Sequence, residues 1–121
     1  MSFFNIDPNI KRYPPEKVRI KSVKVIPYED GRRIQISIEI TPFLERPLIE
    51  LEITDETGIN FGKATIVEPP FWKQELTMHV RKSETQGFNF KLKIQLIYPD
   101  VNKHPIKSVD FRFPLSDQPS K

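Results

Sequence analysis

The chain contains no cysteine among its 121 residues. This absence excludes disulfide bonds, thiolate nucleophiles and every metal site that depends on cysteine ligands. It is typical of proteins that fold in a reducing compartment. The N-terminal sequence MSFFNIDPNIKRYPP also lacks the cationic and apolar regions of a secretory signal. We therefore expect a cytoplasmic protein.

Long apolar runs and glycine-rich motifs are missing as well. No segment approaches the roughly 18–20 apolar residues of a membrane-spanning helix, so we expect no membrane contact. The four glycines form neither a phosphate-binding loop nor the serine elbow of hydrolases. Scarce glycine, twelve prolines and no cysteine together are typical of proteins from thermophiles.

Metal-ligand spacing is also absent from the sequence. His79 and His104, the two histidines, are far apart, and neither has a second ligand at the spacing of known zinc motifs. The aspartates at predicted turns do not form a calcium-binding run, and turn aspartates usually bond to their own backbone. We predict no catalytic residue, no cofactor and no metal site, and hence a protein that is not an enzyme.

What the sequence does contain is strong alternation of apolar and polar residues. Residues 88–98, FNFKLKIQLIY, place large apolar side chains at every second position with polar side chains between them. A strand directs successive side chains to opposite faces of a sheet. The pattern therefore predicts a central strand with one buried face and one solvated face.

Six further segments carry the same alternation over shorter lengths. The predicted strands are A (18–26), B (33–41), C (48–55), C′ (60–68), E (74–82), F (88–98) and G (106–115). Strand A changes phase near residues 22 and 23, which predicts a β-bulge or a switch between sheets. No amphipathic helix pattern is present. The predicted fold class is all-β: a seven-stranded antiparallel β-sandwich without substantial helix.

The order and spacing of these strands resemble those of immunoglobulin-like and fibronectin type III-like sandwiches. The resemblance covers residues 18–115, and it implies that strands C and F are neighbours in one sheet. Glu50 and Glu52 would then face Lys91 and Lys93 across the two strands, and such pairs help to fix strand register. The predicted organisation is an extended N-terminal arm (1–17), the immunoglobulin-like sandwich (18–115) and a flexible C-terminal tail (116–121).

Four aromatic residues are the candidate interaction residues. Phe3 and Phe4 lie in the proline-punctuated arm, and Phe71 and Trp72 follow two prolines in a stiff loop. Large aromatic side chains carry much of the energy of protein interfaces. The same residues can instead pack on their own domain, or Phe71 and Trp72 can form a stacking platform for a sugar-like ring.

A basic patch is predicted on strand A, where Lys17, Arg19, Lys21 and Lys24 follow one another closely. Lysine and arginine on an edge strand discourage pairing with other sheets. The alternative is contact with nucleic acid, which needs a clustered basic face rather than the small net charge of +3 seen here. We therefore regard a nucleic-acid partner as the less favoured reading.

These observations predict a non-catalytic protein-interaction or structural module. Its partner would be another protein or a second copy of itself, bound through the apolar arm, the aromatic loop or a sheet edge. The alternatives are a small-ligand, carbohydrate-like binding module that uses the loop aromatics, and weak nucleic-acid binding through strand A.

Overall fold

The computed structural model describes residues 10–81, 88–102 and 104–114. These residues form seven strands and one short 3-10 helix, Pro15–Lys17. The strands are β1 (Ile20–Pro27), β2 (Arg33–Ile40), β3 (Leu48–Asp55), β4 (Asn60–Val67), β5 (Lys73–His79), β6 (Asn89–Ile97) and β7 (Ile106–Arg112). The predicted all-β class is confirmed. In the described ranges, no helix is long and apolar enough to cross a membrane.

The strands form two antiparallel sheets. One has three strands in the order β1-β2-β5, and the other has four strands in the order β4-β3-β6-β7. Strands β3 and β6, the predicted C and F, are neighbours as expected, and β6 lies inside its sheet. The register of β1 against β2 shifts between Ile20 and Ser22, so the predicted bulge is present close to its expected place.

The core lies between the two sheets and is built from the inward residues of each strand. Its fully buried side chains are Val18, Ile34, Ile36, Ile40, Ile49, Leu51, Ile53, Leu92, Ile94, Leu96 and Phe113. Phe88 is 41% exposed and precedes β6, so the inward alternation of this segment begins at Phe90 rather than at Phe88. Burial of this apolar area is the main driving force for folding.

The first regular strand begins later than predicted. Residue 18 was the expected start of strand A, but residues Pro15–Lys17 form a 3-10 turn and β1 begins at Ile20. Proline at the start of the turn fixes its own φ and has no N–H to leave unpaired, which favours a helical turn there. The turn closes with the Lys17 N–H donating to the Pro14 carbonyl at 2.9 Å.

Residues 10–14 of the predicted arm pack along the domain itself. The Tyr13 N–H donates to the Pro42 carbonyl, and the Leu44 N–H donates to the Tyr13 carbonyl, each at 2.9 Å. Together they make a parallel bridge between Tyr13 and Phe43. Phe3 and Phe4 lie outside the described residues, as does the predicted C-terminal tail.

The two sheets approach each other closely at β4 and β5. The Arg81 N–H, just after β5, donates to the Phe61 carbonyl in β4 at 2.9 Å. A Cβ atom at Gly62 would lie 3.0 Å from the His79 carbonyl oxygen, a tight contact that a shift of a few tenths of an ångström would relieve. Glycine therefore suits this close approach of the two strands.

Candidate functional site

The outer face of the four-stranded sheet presents side chains that point away from the core. They come from alternate positions of its strands, such as Leu48, Glu50 and Glu52 in β3 and Lys91 and Lys93 in β6. The outer face divides along the strands into an apolar end, a charged middle and a polar end.

The charged middle contains an ion pair between the glutamates of β3 and the lysines of β6, which the sequence predicts to face one another. Lys93 Nζ lies 3.5 Å from Glu52 Oε1, and the two residues are direct partners in the register of β3 and β6. Glu50 instead faces Gln95, and Lys91 faces Thr54. Neither Glu50 nor Lys91 therefore faces an opposite charge across β3 and β6, because the antiparallel register places the two residues in different rows.

The apolar end of the outer face, which we call the apolar corner, consists of Val67, Leu48, Ile97 and Ile106. Val67, Leu48 and Ile97 lie side by side in adjacent strands, because Leu48 pairs with both of the others. Ile106 lies one row away, opposite Gln95. Val67 is 67% exposed and Ile106 is 56% exposed, while Leu48 and Ile97 are half-buried between them. Contiguous apolar surface of this kind commonly marks an interaction site.

The other end of the same face contains a groove of about 810 Å³, which we call the polar groove. It crosses the ends of β3, β6 and β7 next to the turn between β3 and β4. Its lining residues are Thr54, Asp55, Glu56, Gly58, Asn89, Phe90, Lys91, Asp110, Phe111 and Arg112. Backbone and side chains of three strands and one turn therefore converge there.

Two carboxylates of the polar groove are committed to local structure. Asp55 Oδ1 accepts hydrogen bonds from the Thr57 N–H at 2.9 Å, from the Thr57 hydroxyl at 2.7 Å and from the Ile59 N–H at 3.1 Å. Glu56 Oε2 accepts a hydrogen bond from the Asn89 side-chain amide at 2.7 Å. The hydrogen bonds of Asp55 stabilise the turn, and the hydrogen bond of Glu56 connects the turn to Asn89 in β6.

Three other charged side chains of the groove are available. Lys91, Asp110 and Arg112 make no ion pair with any residue that the structure describes, and all three are exposed. The groove therefore offers two cations, one carboxylate and the side-chain carbonyl of Asn89 to an incoming ligand. Such a set can bind a carboxylate and several hydroxyl groups at once.

The aromatic loop brings Phe71 and Trp72 together, but Trp72 is only 9% exposed. The two rings stack with centroids 5.1 Å apart. Phe43 packs its edge against Trp72 at 5.9 Å, and the Arg12 guanidinium lies 5.6 Å from the Trp72 ring centroid. Contacts from three residues leave little of the indole for a sugar, whereas they fit the reading in which this loop caps the core.

The residues of the predicted basic patch lie on different local structures. Lys17 is in the 3-10 helix, Arg19 precedes β1, and Lys21 and Lys24 are on β1. The Arg19 guanidinium donates to the carbonyls of Glu16 and Val18 at 2.8 and 3.0 Å. Lys21 Nζ lies 3.7 Å from Glu39 Oε2. Arg19 and Lys21 are therefore engaged within the domain.

A second cleft of about 630 Å³ lies between the start of β1 and the loop before β7. Arg19, Ile20, Val101, His104 and Lys107 contribute to its lining. His104 Nε2 lies 3.2 Å from the Tyr98 carbonyl oxygen. Among the residues that the structure describes, no group of three or more histidine, aspartate or glutamate side chains is placed to hold a metal ion.

Two shifted pKa values mark structural contacts outside the polar groove. Burial, with the charge of Glu45 as a smaller cause, raises the pKa of Tyr98 to about 12. Its hydroxyl donates to the Glu45 carbonyl at 2.8 Å. The Arg32 backbone N–H, which donates to Asp30 at 2.9 Å, is the main cause that lowers the pKa of Asp30.

Sequence reasoning missed both ends of the outer face. The apolar corner combines Val67, Leu48, Ile97 and Ile106, which lie on four different strands. Alternation could have identified each of them as outward-facing and apolar. Only the register shows that they are neighbours, and the same holds for Lys91, Asp110 and Arg112 of the polar groove.

These features define the class of protein: an immunoglobulin-like, seven-stranded antiparallel β-sandwich. No family model matches the sequence, and no curated protein resembles it closely enough to count as a relative. Similarity is found at the level of solved structures, where several bacterial enzymes contain a region of the same fold.

Three such structures illustrate the similarity. A β-glucuronidase from Parabacteroides merdae matches 80% of this chain with a TM-score of 0.64 and 10% identity, over 14% of its own length. A β-glucuronidase from Bifidobacterium dentium matches 82% with a TM-score of 0.65 and 10% identity, over 18% of its length. A glycosyl hydrolase family 2 member from Bacteroides cellulosilyticus matches 79% with a TM-score of 0.59 and 9% identity, over 15% of its length.

At these identities the likeness shows the fold alone. The chain spans less than a fifth of the length of each of these structures. In each of them, the sandwich is therefore a small part of a much larger chain.

Proposed function

We propose that this protein is a non-catalytic interaction module that docks onto a larger partner protein through the apolar corner. The observation that carries the proposal is the exposure of Val67 and Ile106 beside Leu48 and Ile97 on one sheet face. Removing apolar surface of this kind from water favours association, although part of the gain offsets the loss of freedom on binding.

The size of the apolar corner favours a larger partner over a second copy of this chain. Four aliphatic side chains offer a few hundred Å² at most, whereas a stable interface buries about 800 Å² on each partner. A pair of identical copies joined through this corner alone would therefore be weak. A larger partner can add contacts around the corner. The similar folds that form 14–18% of larger enzyme chains are consistent with such an accessory role.

The row next to the apolar corner indicates the chemistry of the partner's rim. Thr65, Glu50 and Gln95 lie side by side there, and Ile106 continues the row. An apolar centre with a polar border is the usual arrangement of protein interfaces. We expect the partner to present an aliphatic or aromatic surface with a basic or N–H donor group opposite Glu50.

The test uses a photo-cross-linking amino acid at position 67 and, for comparison, at position 77. Thr77 is exposed on β5 in the other sheet, so it reports non-specific capture. A protein captured at position 67 only is then purified, and its affinity is measured for the unmodified chain, the Val67→Lys variant and the Thr77→Lys variant. We expect Val67→Lys to weaken binding by at least tenfold, because it would bury an unpaired ammonium group.

The proposal fails if the unmodified chain and the Val67→Lys variant bind the captured protein equally. It also fails if light scattering shows a dimer of this chain that Val67→Lys dissolves, because the occupant would then be a second copy. Thermal unfolding of both variants provides the folding control, since exposed substitutions usually change stability by less than about 0.5 kcal/mol.

A second candidate function is carbohydrate binding. The structural likeness to β-glucuronidases and to a glycosyl hydrolase supports it, although each match covers a small part of those enzymes. The burial of Trp72 argues against a stacking platform in the aromatic loop. If the domain binds a saccharide, we place the contact elsewhere, on a surface with available polar groups. The cysteine-free composition supports a cytoplasmic setting for either function.

A further inference from the structure

We infer that the polar groove is a binding site for a hydroxyl-rich carboxylate, a uronic acid or a uronate residue of a glycan. The inference rests on the second candidate function and gives it a site. It is independent of the apolar corner, which lies at the opposite end of the same sheet face.

Four outward side chains form a two-by-two array in the groove. Lys91 pairs with Asp110 and Asn89 pairs with Arg112 in the register of β6 and β7. Facing residues in neighbouring strands are about 4.5–5.5 Å apart, and alternate residues along a strand are roughly 6.6–7 Å apart. The array therefore covers an area comparable to that of one six-membered sugar ring with its substituents.

The array lies over closely packed aromatic side chains. Phe90 and Phe111, the inward residues between the four members, stack with ring centroids 5.5 Å apart and an interplanar angle of 20°. They are 2% and 8% exposed, and Phe113 packs against both of them. The Glu56–Asn89 hydrogen bond fixes the adjoining turn. The packed sheet thus fixes the backbone positions of the four members before a ligand arrives, which lowers the entropic cost of binding.

The charged side chains of the groove that have no ion-pair partner among the described residues indicate which ligand would fit. Lys91 and Arg112 are cations without an ion-pair partner in the described part of the chain, and Asp110 is the matching available carboxylate. The guanidinium fork of Arg112 suits a ligand carboxylate, and Lys91 adds a second donor. Asp110 can accept hydrogen bonds from ligand hydroxyls, and so can the side-chain carbonyl of Asn89, whose NH₂ group is already bonded to Glu56.

A simple anion would leave Asp110 beside an extra negative charge, with no hydroxyl to satisfy it. A neutral sugar would offer no carboxylate to the Arg112 guanidinium, which faces the uncharged Asn89, whereas Lys91 already faces Asp110. A uronic acid supplies both groups on one small molecule. We therefore expect the sugar acid to bind more tightly than either a neutral sugar or a simple carboxylate.

The test is a titration of the ¹⁵N-labelled full chain with sodium D-glucuronate, followed by amide and side-chain chemical shifts. Matched titrations use D-glucose, which lacks the carboxylate, and sodium acetate, which lacks the hydroxyls. We expect saturable shifts at Asn89, Lys91, Asp110 and Arg112 with glucuronate in the millimolar range. Glucose and acetate should each bind at least several-fold more weakly.

Variants separate the roles of the groups. Arg112→Gln should reduce glucuronate binding roughly tenfold, toward the level of glucose, because a charge-assisted contact is lost. Asp110→Asn should weaken glucose and glucuronate alike. Lys63→Gln is the matched control, because it removes an exposed lysine from β4 outside the groove and should change nothing.

Each other outcome overturns the inference in a different way. Saturable glucuronate shifts that map elsewhere, for example around Phe71, would exclude the groove and leave the second candidate function in place. If neither sugar binds, both the assignment of the groove as a binding site and the second candidate function are wrong. Acetate binding as tight as glucuronate binding would show a simple anion site, and unchanged binding in Arg112→Gln would show that the array does not recognise the carboxylate.

Discussion

The two faces of the four-stranded sheet differ in how uniform they are. On the inner face Ile49, Leu51 and Ile53 of β3 meet Leu92, Ile94 and Leu96 of β6, and all six are fully buried. The outer face of the same strands changes from the apolar corner through an ion pair to the polar groove. Nearly all the contribution of these strands to the core comes from one face, so the other is available for interactions.

The difference has an energetic basis. A fully buried aliphatic side chain contributes about 1.5–3 kcal/mol through burial alone. An exposed ion pair or an exposed polar side chain usually contributes less than about 1 kcal/mol. Substitutions on the inner face should therefore lower the free energy of unfolding. Substitutions on the outer face should mainly change binding affinity.

The strongest test of the comparison replaces two adjacent residues of β3. Leu51→Ala removes a fully buried side chain from the inner face and should lower the free energy of unfolding by about 2–5 kcal/mol. Glu50→Ala, on the outer face one residue earlier, should change it by less than about 0.5 kcal/mol. Urea unfolding followed by the fluorescence of Trp72 measures both. Equal losses in the two variants would contradict the assignment of the faces.

Tyr98 is a buried, inward-facing residue that carries a polar group, and it provides the second test. It is 3% exposed, and its hydroxyl donates to the Glu45 carbonyl in the loop before β3. Tyr98→Phe keeps the ring and removes this hydrogen bond. We expect a loss of about 1 kcal/mol, measured by urea unfolding at neutral pH. Tyr28→Phe, at a tyrosine outside the buried core, is the control and should cost less.

The same residue predicts a stability change at high pH. Its pKa is about 12 in the folded protein and close to 10 when the chain is unfolded. The folded state thus holds this proton more tightly. The stabilisation is fully present below pH 10 and is lost as the pH rises through about 12. Tyr98→Phe should reduce the alkaline loss of stability, and an identical loss in both proteins would show that other groups cause it.

Much of the fold was predictable because burial follows a period of two. The alternation in residues 33–41, 48–55 and 88–98 was enough to locate β2, β3 and β6 and to identify their inward residues. Phe88 misled the prediction because it continues the alternation beyond the end of the strand. The 3-10 turn at Pro15–Lys17 was missed because the prolines of the arm generally disfavour a helix, whereas Pro15 occupies the first position of the turn, where proline is tolerated.

The candidate surfaces were less predictable, because they depend on register. Which side of a strand faces water is a local property, but which residues of two strands lie together is not. Val67 and Ile97 are 30 positions apart in the sequence, and both flank Leu48. Trp72 was placed correctly in a loop, but its burial depends on Arg12, Phe43 and Phe71, which meet only in the folded protein.

The smallest predicted effect is the coupling between Glu52 and Lys93, and it tests the register directly. A double-mutant cycle with Glu52→Gln and Lys93→Gln should give a coupling energy of about 0.2–1 kcal/mol at low salt. The coupling should fall as salt rises, because both side chains are partly exposed. The matched cycle with Glu50→Gln and Lys91→Gln should give no measurable coupling, since these residues face Gln95 and Thr54. A larger coupling in the second cycle would place β3 and β6 in a different register. The residues assigned to the apolar corner and to the polar groove would then be different, because the same register brings both sets of residues together.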